Sequence, residues 1–563
     1  MEYRGYDSVG VATKSDDTIE LKKGTGKVRE VNAKLHLDAL PGNIGIGHTR
    51  WATHGGITDI NAHPHYSNSK KVAIVHNGII KNFAELKKML EEYGCEFKSE
   101  TDSEVIANLL QKNHEQFDDV KKTMLATVSE LKGDYSFVAM FEDGQLAAAR
   151  FHEPLIIGLD RNSYFLASDV LGFIEQTDDA IYMDNGNVAI INNGKMEILN
   201  FDGSPASYGI TKVSKEFADA YKGDYAHFTI KEISEQPNTI TSAGKGTKEA
   251  IIRAADLIDC SKNTYITGSG TSYNAAFIAK QLFSKYAKIK AEHIISSEIQ
   301  FHSEIIENDS TLIAISQSGE SADVLEAVSI AKKVGCKIIS IVNHLTSSLA
   351  RESDVVIGMN CGPEIGVAAT KSFTAQIIIL YMLLDKLAYD TLKINHQNIA
   401  DAVSEILKDH SVIKKVASDI KEISDIYVLG RGIHYPIAIE SALKLKELAY
   451  IHAEGIAGGE LKHGPLALID SNVFVIIINP NDSTYTDTIT STREIKARGA
   501  KIIGISDVEN DLYDYWIKIP HTDEFGYVIS EIIPIQLLSY YAALEKNTDP
   551  DYPRNLAKSV TVK

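Results

Sequence analysis

The chain has 563 residues, 44% of them hydrophobic, with a formal net charge of −19 and a pI of about 5.4. At roughly 150 residues per domain, this length points to three or four domains with a large buried core and excludes a single small binding module. The acidic balance leaves no global electrostatic footprint for nucleic acid or an anionic membrane, so any anionic ligand must be held by a local site. The longest uninterrupted apolar run, Ile377 to Leu384, is far short of a membrane span, and Met1-Glu2-Tyr3-Arg4 opens no signal peptide. A soluble, cytoplasmic protein is expected. Cys95, Cys260, Cys336 and Cys361 are far apart with no CxxC pair, so neither a disulfide framework nor a structural zinc site is expected.

To about Tyr208 the chain alternates short strand signals with turn residues. Asn43–Gly47, Lys71–His76, Tyr135–Phe141, Leu146–Phe151, Leu155–Leu159 and Asn187–Ile191 are apolar, β-branched or alternating, and Gly, Asn and Asp separate them. Two helices interrupt them. Asn82–Tyr93 puts Phe83, Leu86, Leu90 and Tyr93 on one face and stops at Gly94, and Thr101–Leu110 opens with a capping-box pattern, Thr101 to Glu104. This reads as an α+β domain. Lys212–Glu235, charged and aromatic, reads as a linker with some helix.

From about Gln236 the order strand, turn, helix repeats, as in a parallel sheet covered on both faces. The region is also duplicated. Tyr265-Ile-Thr-Gly-Ser-Gly270 returns as Tyr427-Val-Leu-Gly-Arg-Gly432, and Gly335-Cys-Lys-Ile-Ile-Ser-Ile341 returns at nearly the same offset as Gly499-Ala-Lys-Ile-Ile-Gly-Ile505.

In the first copy, strands run into two turns, Gly268-Ser269-Gly270-Thr271-Ser272 and Ser316-Gln317-Ser318-Gly319-Glu320-Ser321, each followed by a helix. Helix N-termini present unpaired N–H groups, and neighbouring hydroxyls add donors, so the turns can cradle a phosphate without lysine. Capping alone would explain one such turn; two at the ends of strands in one sheet favour ligand binding. A dinucleotide fits less well because Gly268-x-Gly270-x-x-Tyr273 lacks the third glycine. In the second copy Asn479-Pro480-Asn481-Asp482 replaces the serine turn, adding a negative charge and a donorless proline, so loss of phosphate binding is expected there. Glu440, Lys444 and Glu447 fall on one helical face, which spacing alone reads as an ordinary salt-bridged surface. His463, in a turn between Lys462 and Gly464-Pro465, is a candidate acid or base. In the first domain, His48, His54, His63, His65 and His76 are spaced unlike any helical or finger ligand set, so no metal is expected. Asn77-Gly78 reads either as a tight turn or as an amide and a backbone N–H converging on an oxyanion. Arg50 and Asp102 could meet the carboxylate and ammonium of an amino acid.

Taken together, Tyr3-Arg-Gly-Tyr-Asp-Ser8, His48-Thr-Arg-Trp-Ala-Thr-His54, His76-Asn-Gly78, Thr101-Asp-Ser-Glu104, Ser269-Gly-Thr-Ser-Tyr273, Ser316-Gln-Ser-Gly-Glu320, Gly459-Glu-Leu-Lys-His-Gly-Pro465 and Pro553-Arg-Asn-Leu-Ala-Lys-Ser-Val-Thr-Val562 closely resemble the isomerising glutamine–fructose-6-phosphate aminotransferases over essentially the whole chain. The resemblance implies an N-terminal-nucleophile (class II) glutaminase domain followed by two α/β sugar-isomerase (SIS) domains with parallel sheets. Boundaries are expected at 1–208 for the glutaminase domain, 209–240 for a linker, 241–395 and 396–549 for the two isomerase domains, and 550–563 for a tail. The implied reaction makes glucosamine 6-phosphate and glutamate from fructose 6-phosphate and glutamine, with no cofactor.

By motif, the resemblance implies that Arg50, Thr53, His54 and Asp102 hold glutamine, that Asn77 and Gly78 form the oxyanion hole, and that Trp51 gates ammonia. It assigns the sugar phosphate and hydroxyls to Thr271, Ser272, Ser316, Gln317, Ser318 and Ser321. It implies that His463 opens the sugar ring, Lys558 forms an imine with the ketose, and Glu447 moves a proton between C1 and C2 with Lys444 assisting. In the family the residue matching His463 reaches the site from a neighbouring subunit, which implies at least a homodimer. Family members begin with a cysteine whose thiol attacks glutamine and whose α-amine is the base. The Tyr3-Arg-Gly-Tyr segment lies downstream of that cysteine in the family, so either the start was placed too late, which the intact glutamine motifs favour, or glutaminase chemistry has been lost. A non-catalytic sugar-phosphate sensor and an ammonia-dependent isomerase are the alternatives.

Overall fold

The computed structural model describes residues 5–16, 18–52, 54–161, 163–213 and 222–560, and the chain divides into two compact units, Met1–Asp219 with Ser559–Lys563, and Ala220–Lys558.

The first unit is built on a six-stranded antiparallel sheet in the spatial order Lys195–Asn200, Asn187–Asn192, Leu146–Phe151, Gly133–Phe141, Val72–Ile80 and His65–Tyr66. Side chains alternate across a strand, so each strand serves two cores. Val72, Ile74, Phe137, Ala139, Phe141, Ala147 and Ala149 pack against helical residues such as Leu86, Leu90, Val105, Ile106, Leu109 and Met124. Their neighbours Ala73, Val138, Met140 and Ala148 pack on the opposite side with Ala12, Ile46, Ile157 and Ile181, which lie in the other two sheets. One of these sheets has Ser8–Ser15 between Thr18–Thr25 and Ile44–Arg50, and the other runs Thr211–Lys212, Asp179–Tyr182, Ile156–Asp160, Ser163–Ala167. The result is the expected α+β layering.

Several local expectations change. Helices also form at Val28–Leu35 and Val120–Glu130, and the helix expected to end at Leu110 runs from Ser103 to Phe117. The capping box at Thr101 does not form, because the Glu104 carboxylate reaches outward to Lys98 N (3.0 Å) and Ser99 N (2.7 Å). Asn77-Gly78 is no turn; it lies inside the strand Val72–Ile80, opposite Ser136 and Tyr135.

The second unit contains two five-stranded parallel sheets with identical order. In the first, Ala291–Ile295, Thr264–Gly268, Thr311–Ser316, Lys337–Val342 and Val355–Gly358 lie side by side; in the second, His452–Ala457, Asp425–Gly430, Phe474–Ile478, Lys501–Ser506 and Tyr515–Lys518 do. The sequence repeats fall on equivalent strands, as duplication requires. Thr311–Ser316 and Phe474–Ile478 are buried at every position, as expected for strands covered on both faces. The run Ile377–Leu384 belongs to the buried helix Lys371–Leu387. The segment Glu524–Glu545 is long and apolar enough to cross a membrane by length and composition, but 89% of its apolar window is buried inside the unit.

Candidate active sites

In the first unit a cleft of about 330 Å³ is lined by Arg50, Trp51, His54, Asn77, Gly78 and Asp102, among others. Thr53 lies outside the described residues. Arg50 ends the strand Ile44–Arg50, and its buried guanidinium donates to the carbonyls of His54, Gly55 (3.4 Å) and Gly56 (3.3 Å). It therefore shapes the loop that follows it as well as facing the cleft. Asp102 stands just before the helix Ser103–Phe117 without capping it; one oxygen accepts Ile80 N at 2.7 Å, the other the Ser103 hydroxyl at 3.4 Å.

Asn77 is oriented by a histidine. His48 Nε2 lies 2.8 Å from Asn77 Oδ1, and an amide oxygen only accepts, so Nε2 carries the proton. Burial holds His48 down at about 4, hence neutral. Asn77 is left with its NH2 as the donor available to the cleft. Behind it the imidazoles pack as uncharged rings: His48 and His63 stack at 4.4 Å, and His63 meets His65 edge-on at 4.7 Å. Burial also lowers His63, His65 and His76. Gly78 has φ +114°, and a Cβ there would sit 2.0 Å from Asp134 O. Gly78→Ala therefore combines a left-handed backbone with a backbone collision and is expected to destabilise the unit by about 2–4 kcal/mol, read by urea unfolding; a loss below 0.5 kcal/mol, the usual surface value, would show that the strand can shift aside.

In the second unit, Gly270 (φ +53°) precedes the helix Thr271–Leu282, whose first turn packs against the helix His434–Ala449 of the other copy. Glu440 and Lys444 project from that second helix and are fully buried. Glu440 accepts from Thr271 Oγ1 at 3.0 Å and from Asn274 Nδ2 at 2.6 Å. Lys444 Nζ lies 3.0 Å from Thr271 Oγ1 and 3.4 Å from Glu440, and it also pairs with Glu447. Burial works against the Lys444 charge, but Glu440 and Glu447 outweigh it and keep the ammonium protonated. Burial, with Glu447 nearby, pushes the Glu440 carboxyl up. The face expected to be a salt-bridged surface is thus a buried network joining the two copies; only Glu447 is partly exposed, at 22% of its side chain.

The serine turn does not cap the helix that follows it in the chain through Ser321. Ser321 precedes the helix Ala322–Val334 but makes no capping bond; its hydroxyl lies 3.3 Å from that of Ser316. Ser316 Oγ accepts Gly319 N at 3.0 Å, and Ser318 Oγ accepts Glu320 N at 3.2 Å. Gln317 is half-buried beside them. Ser272 Oγ accepts from Gln376 Nε2 at 3.0 Å, so Thr271 and Ser272 are engaged by protein groups while the 316–321 turn remains organised around its own hydroxyls. In the second copy, Asp482 fills the corresponding turn: it accepts from Thr484 N at 2.8 Å and pairs with His434 at 3.0 Å. Burial opposes the His434 charge, but Glu531 and Asp482 outweigh it and raise it to about 10.

Lys558 is anchored by Glu364 Oε2 at 2.5 Å and the Gly366 carbonyl at 2.8 Å, with its side chain 5% exposed. His463 ends the short 3₁₀ segment Glu460–His463 and is exposed.

The glutamine amidotransferase domain family matches residues 48–175, and the SIS domain family matches residues 257–386 and 419–546. Glutamine–fructose-6-phosphate aminotransferases [isomerizing] from Thermococcus kodakarensis and Pyrococcus horikoshii are 40% and 41% identical to this chain, each match covering 100% of this chain and 96% of the relative. The chain belongs to the isomerising glutamine–fructose-6-phosphate aminotransferase family. Among solved structures, the C-terminal domain of glucosamine-fructose-6-phosphate aminotransferase from Francisella tularensis matches 59% of this chain and all of its own, with 36% identity and a TM-score of 0.55. Tagatose-6-phosphate ketose/aldose isomerase from Escherichia coli, 21% identical with a TM-score of 0.52, shares the fold.

Three groups bonded to the candidate site residues are not legible in the sequence as such. Spacing puts Glu440 on a face with Lys444 and Glu447, but periodicity carries no information about which face of a helix another domain covers. Asn274 and Glu364 carry no local signal, since each bonds to a partner more than 150 residues away in sequence.

Proposed function

We propose that this chain converts fructose 6-phosphate to glucosamine 6-phosphate using glutamine nitrogen, and that it does so on the residues named above. The observation that carries the sugar half is the buried Glu440–Lys444–Glu447 network against Thr271, in the first of the two turns. A charge cluster costly to bury is expected where chemistry needs it. In this reading Ser316, Gln317, Ser318 and Ser321, with backbone N–H groups of the turn, hold the phosphate, and Thr271 and Ser272 complete the wall. His463 assists ring opening. The Lys558 amine adds to C2 and water leaves, giving an imine; ammonia then displaces the lysine nitrogen. The C2=N group acts as an electron sink, so Glu447 can remove a proton from C1 and return it to C2, while C1 becomes the aldehyde and C2 keeps the amine. Lys444, ion-paired to Glu447, orients that carboxylate for the transfer.

In the first unit, Arg50 and Asp102 meet the carboxylate and ammonium of glutamine, with His54 beside them and Thr53 assigned to the same ligand by motif. Asn77 Nδ2 and the Gly78 N–H face the developing oxyanion, and Trp51 gates the ammonia. The domain division at 1–208, 209–240, 241–395, 396–549 and 550–563 goes with this assignment. The exposure of His463 supports its donation to a second subunit, hence a homodimer, and four unpaired cysteines, three of them buried, suit a reducing cytoplasm.

Among the described residues lining the cleft there is no cysteine, and Cys95, the cysteine of that unit, is buried with its thiol pushed up by burial. A polypeptide of these 563 residues alone is therefore expected to form glucosamine 6-phosphate from fructose 6-phosphate with an ammonium salt, but to release no glutamate from glutamine above background. Failure with ammonium would reject the sugar-site assignment. Glutamate release would reveal an unassigned nucleophile in the first unit.

A further inference from the structure

The tail lysine is not loose. Asp551, at the start of the tail, accepts Phe228 N at 2.9 Å and Thr229 N at 2.8 Å, and it fixes the tail to the helix Phe228–Ser234. Lys558 is then held by Glu364 and the Gly366 carbonyl. Glu364 is itself rigid, accepting Thr370 N (2.9 Å), Ser372 N (3.0 Å) and the Ser372 hydroxyl (2.7 Å) at the start of the helix Lys371–Leu387. Resting on the reading that Lys558 forms the imine, we propose that Glu364 is the positioning residue that parks this lysine, holding it as a buried ammonium until sugar binding opens the pair.

The surrounding charges fit. Burial works to raise the Glu364 carboxyl, but Lys558 and the Thr370 and Ser372 donors outweigh it and bring it down to about 2. Glu232 also faces the pair, its carboxylate accepting Ile365 N at 2.6 Å; burial and Glu364 push it up to about 8. Glu364 is thus the ionised counter-ion at neutral pH and Glu232 the protonated neighbour. Lys371 is committed to Glu235 at 2.7 Å and so does not compete with Lys558 for Glu364, and burial lifts the Cys361 thiol to about 12, so it offers Lys558 no second anion. An ammonium has no lone pair. Imine formation needs the pair opened and one proton lost to water; the nitrogen then bonds to C2 and the C2 oxygen leaves as water.

The test is cyanoborohydride trapping with fructose 6-phosphate, in which hydride adds to the imine carbon and leaves a secondary amine located by peptide mass spectrometry. Because Glu232 is the carboxyl still facing Lys558 once Glu364 is neutral, the decisive variant is Glu232→Gln with Glu364→Gln. Both amides keep an oxygen for the backbone N–H groups. With both carboxylates gone, the lysine keeps only the Gly366 carbonyl as acceptor, and no counter-ion holds it back from the free-amine form that attacks C2. Trapping at neutral pH is expected to rise about tenfold or more, at unchanged affinity for fructose 6-phosphate; a merely structural role would lower it, and an unchanged or reduced rate in the folded double variant overturns the proposal. A second measurement uses the native protein: amine acetylation of Lys558 should speed up when glucitol 6-phosphate, which has no carbonyl, is bound. Equal protection with and without it also overturns the proposal. An adduct that persists in Lys558→Gln would reject instead the imine role on which the proposal rests.

Discussion

Lys558→Ala abolishes sugar conversion, lowering turnover by roughly a thousandfold or more, while affinity for fructose 6-phosphate stays within about twofold. The separation follows from the contacts. Lys558 is bonded to Glu364 and Gly366, whereas the serine turn is organised by Ser316, Ser318 and Gly319 among themselves and by a bond from Leu349 N to the Gly319 carbonyl. Among the described residues, these hydrogen bonds of the turn do not pass through the tail lysine. Calorimetric titration and a coupled assay for glucosamine 6-phosphate, run with ammonium as the nitrogen source, measure the two quantities on the same preparation. Ser318→Ala is the complement: it weakens binding and leaves the tail intact. Turnover in Lys558→Ala, or unchanged affinity in Ser318→Ala, breaks this division of labour.

The largest effect on stability belongs to Lys444→Met. Removing one member of a buried ion network leaves the others uncompensated, at a cost of about 3–5 kcal/mol, and here two carboxylates, Glu440 and Glu447, share the same ammonium. The loss depends on pH with a definite sign. Burial already raises the Glu440 carboxyl in the fold, and without Lys444 the rise is greater. A carboxyl raised above its unfolded value contributes stability at acid pH and loses it as pH climbs through the folded value. Lys444→Met is therefore least destabilised at acid pH and increasingly so toward neutrality. Urea titrations at several pH values check both magnitude and sign; a uniform deficit would mean that the carboxylates find other partners. Glu440→Gln, which keeps an acceptor for Asn274 Nδ2, is expected to recover part of the loss when combined with Lys444→Met.

Two local patterns that take other forms in the fold have physical explanations. The capping box at Thr101 failed because Glu104 found the Lys98 and Ser99 amides instead, and a loop of suitable shape next to a helix start is a tertiary accident that local pattern does not encode. Of the two readings of Asn77-Gly78, the tight turn is the one the fold excludes, although Asn-Gly is a strong hairpin-turn signal. In the fold its glycine is needed for a different reason, a positive φ where the strand presses on Asp134.

What the amino-acid order determined by itself was architecture and candidate chemistry. Alternating apolar residues set the strands of the first unit, the continuous runs Thr311–Ser316 and Phe474–Ile478 set the parallel sheets, and the paired Gly-rich repeats announced a duplicated domain, because side-chain period and backbone permissiveness are properties of neighbouring residues. The tertiary structure alone decided which polar groups act together. It buried Glu440 and Lys444 by laying the helix His434–Ala449 against Thr271 and Asn274 of the other copy, it turned Asn77 with a neutral His48, and it caged Lys558 with Glu364. Desolvation and hydrogen-bond partnership depend on what surrounds a residue in space, and here the partners lie from 29 to 194 positions apart in the chain, a separation over which no local pattern carries information.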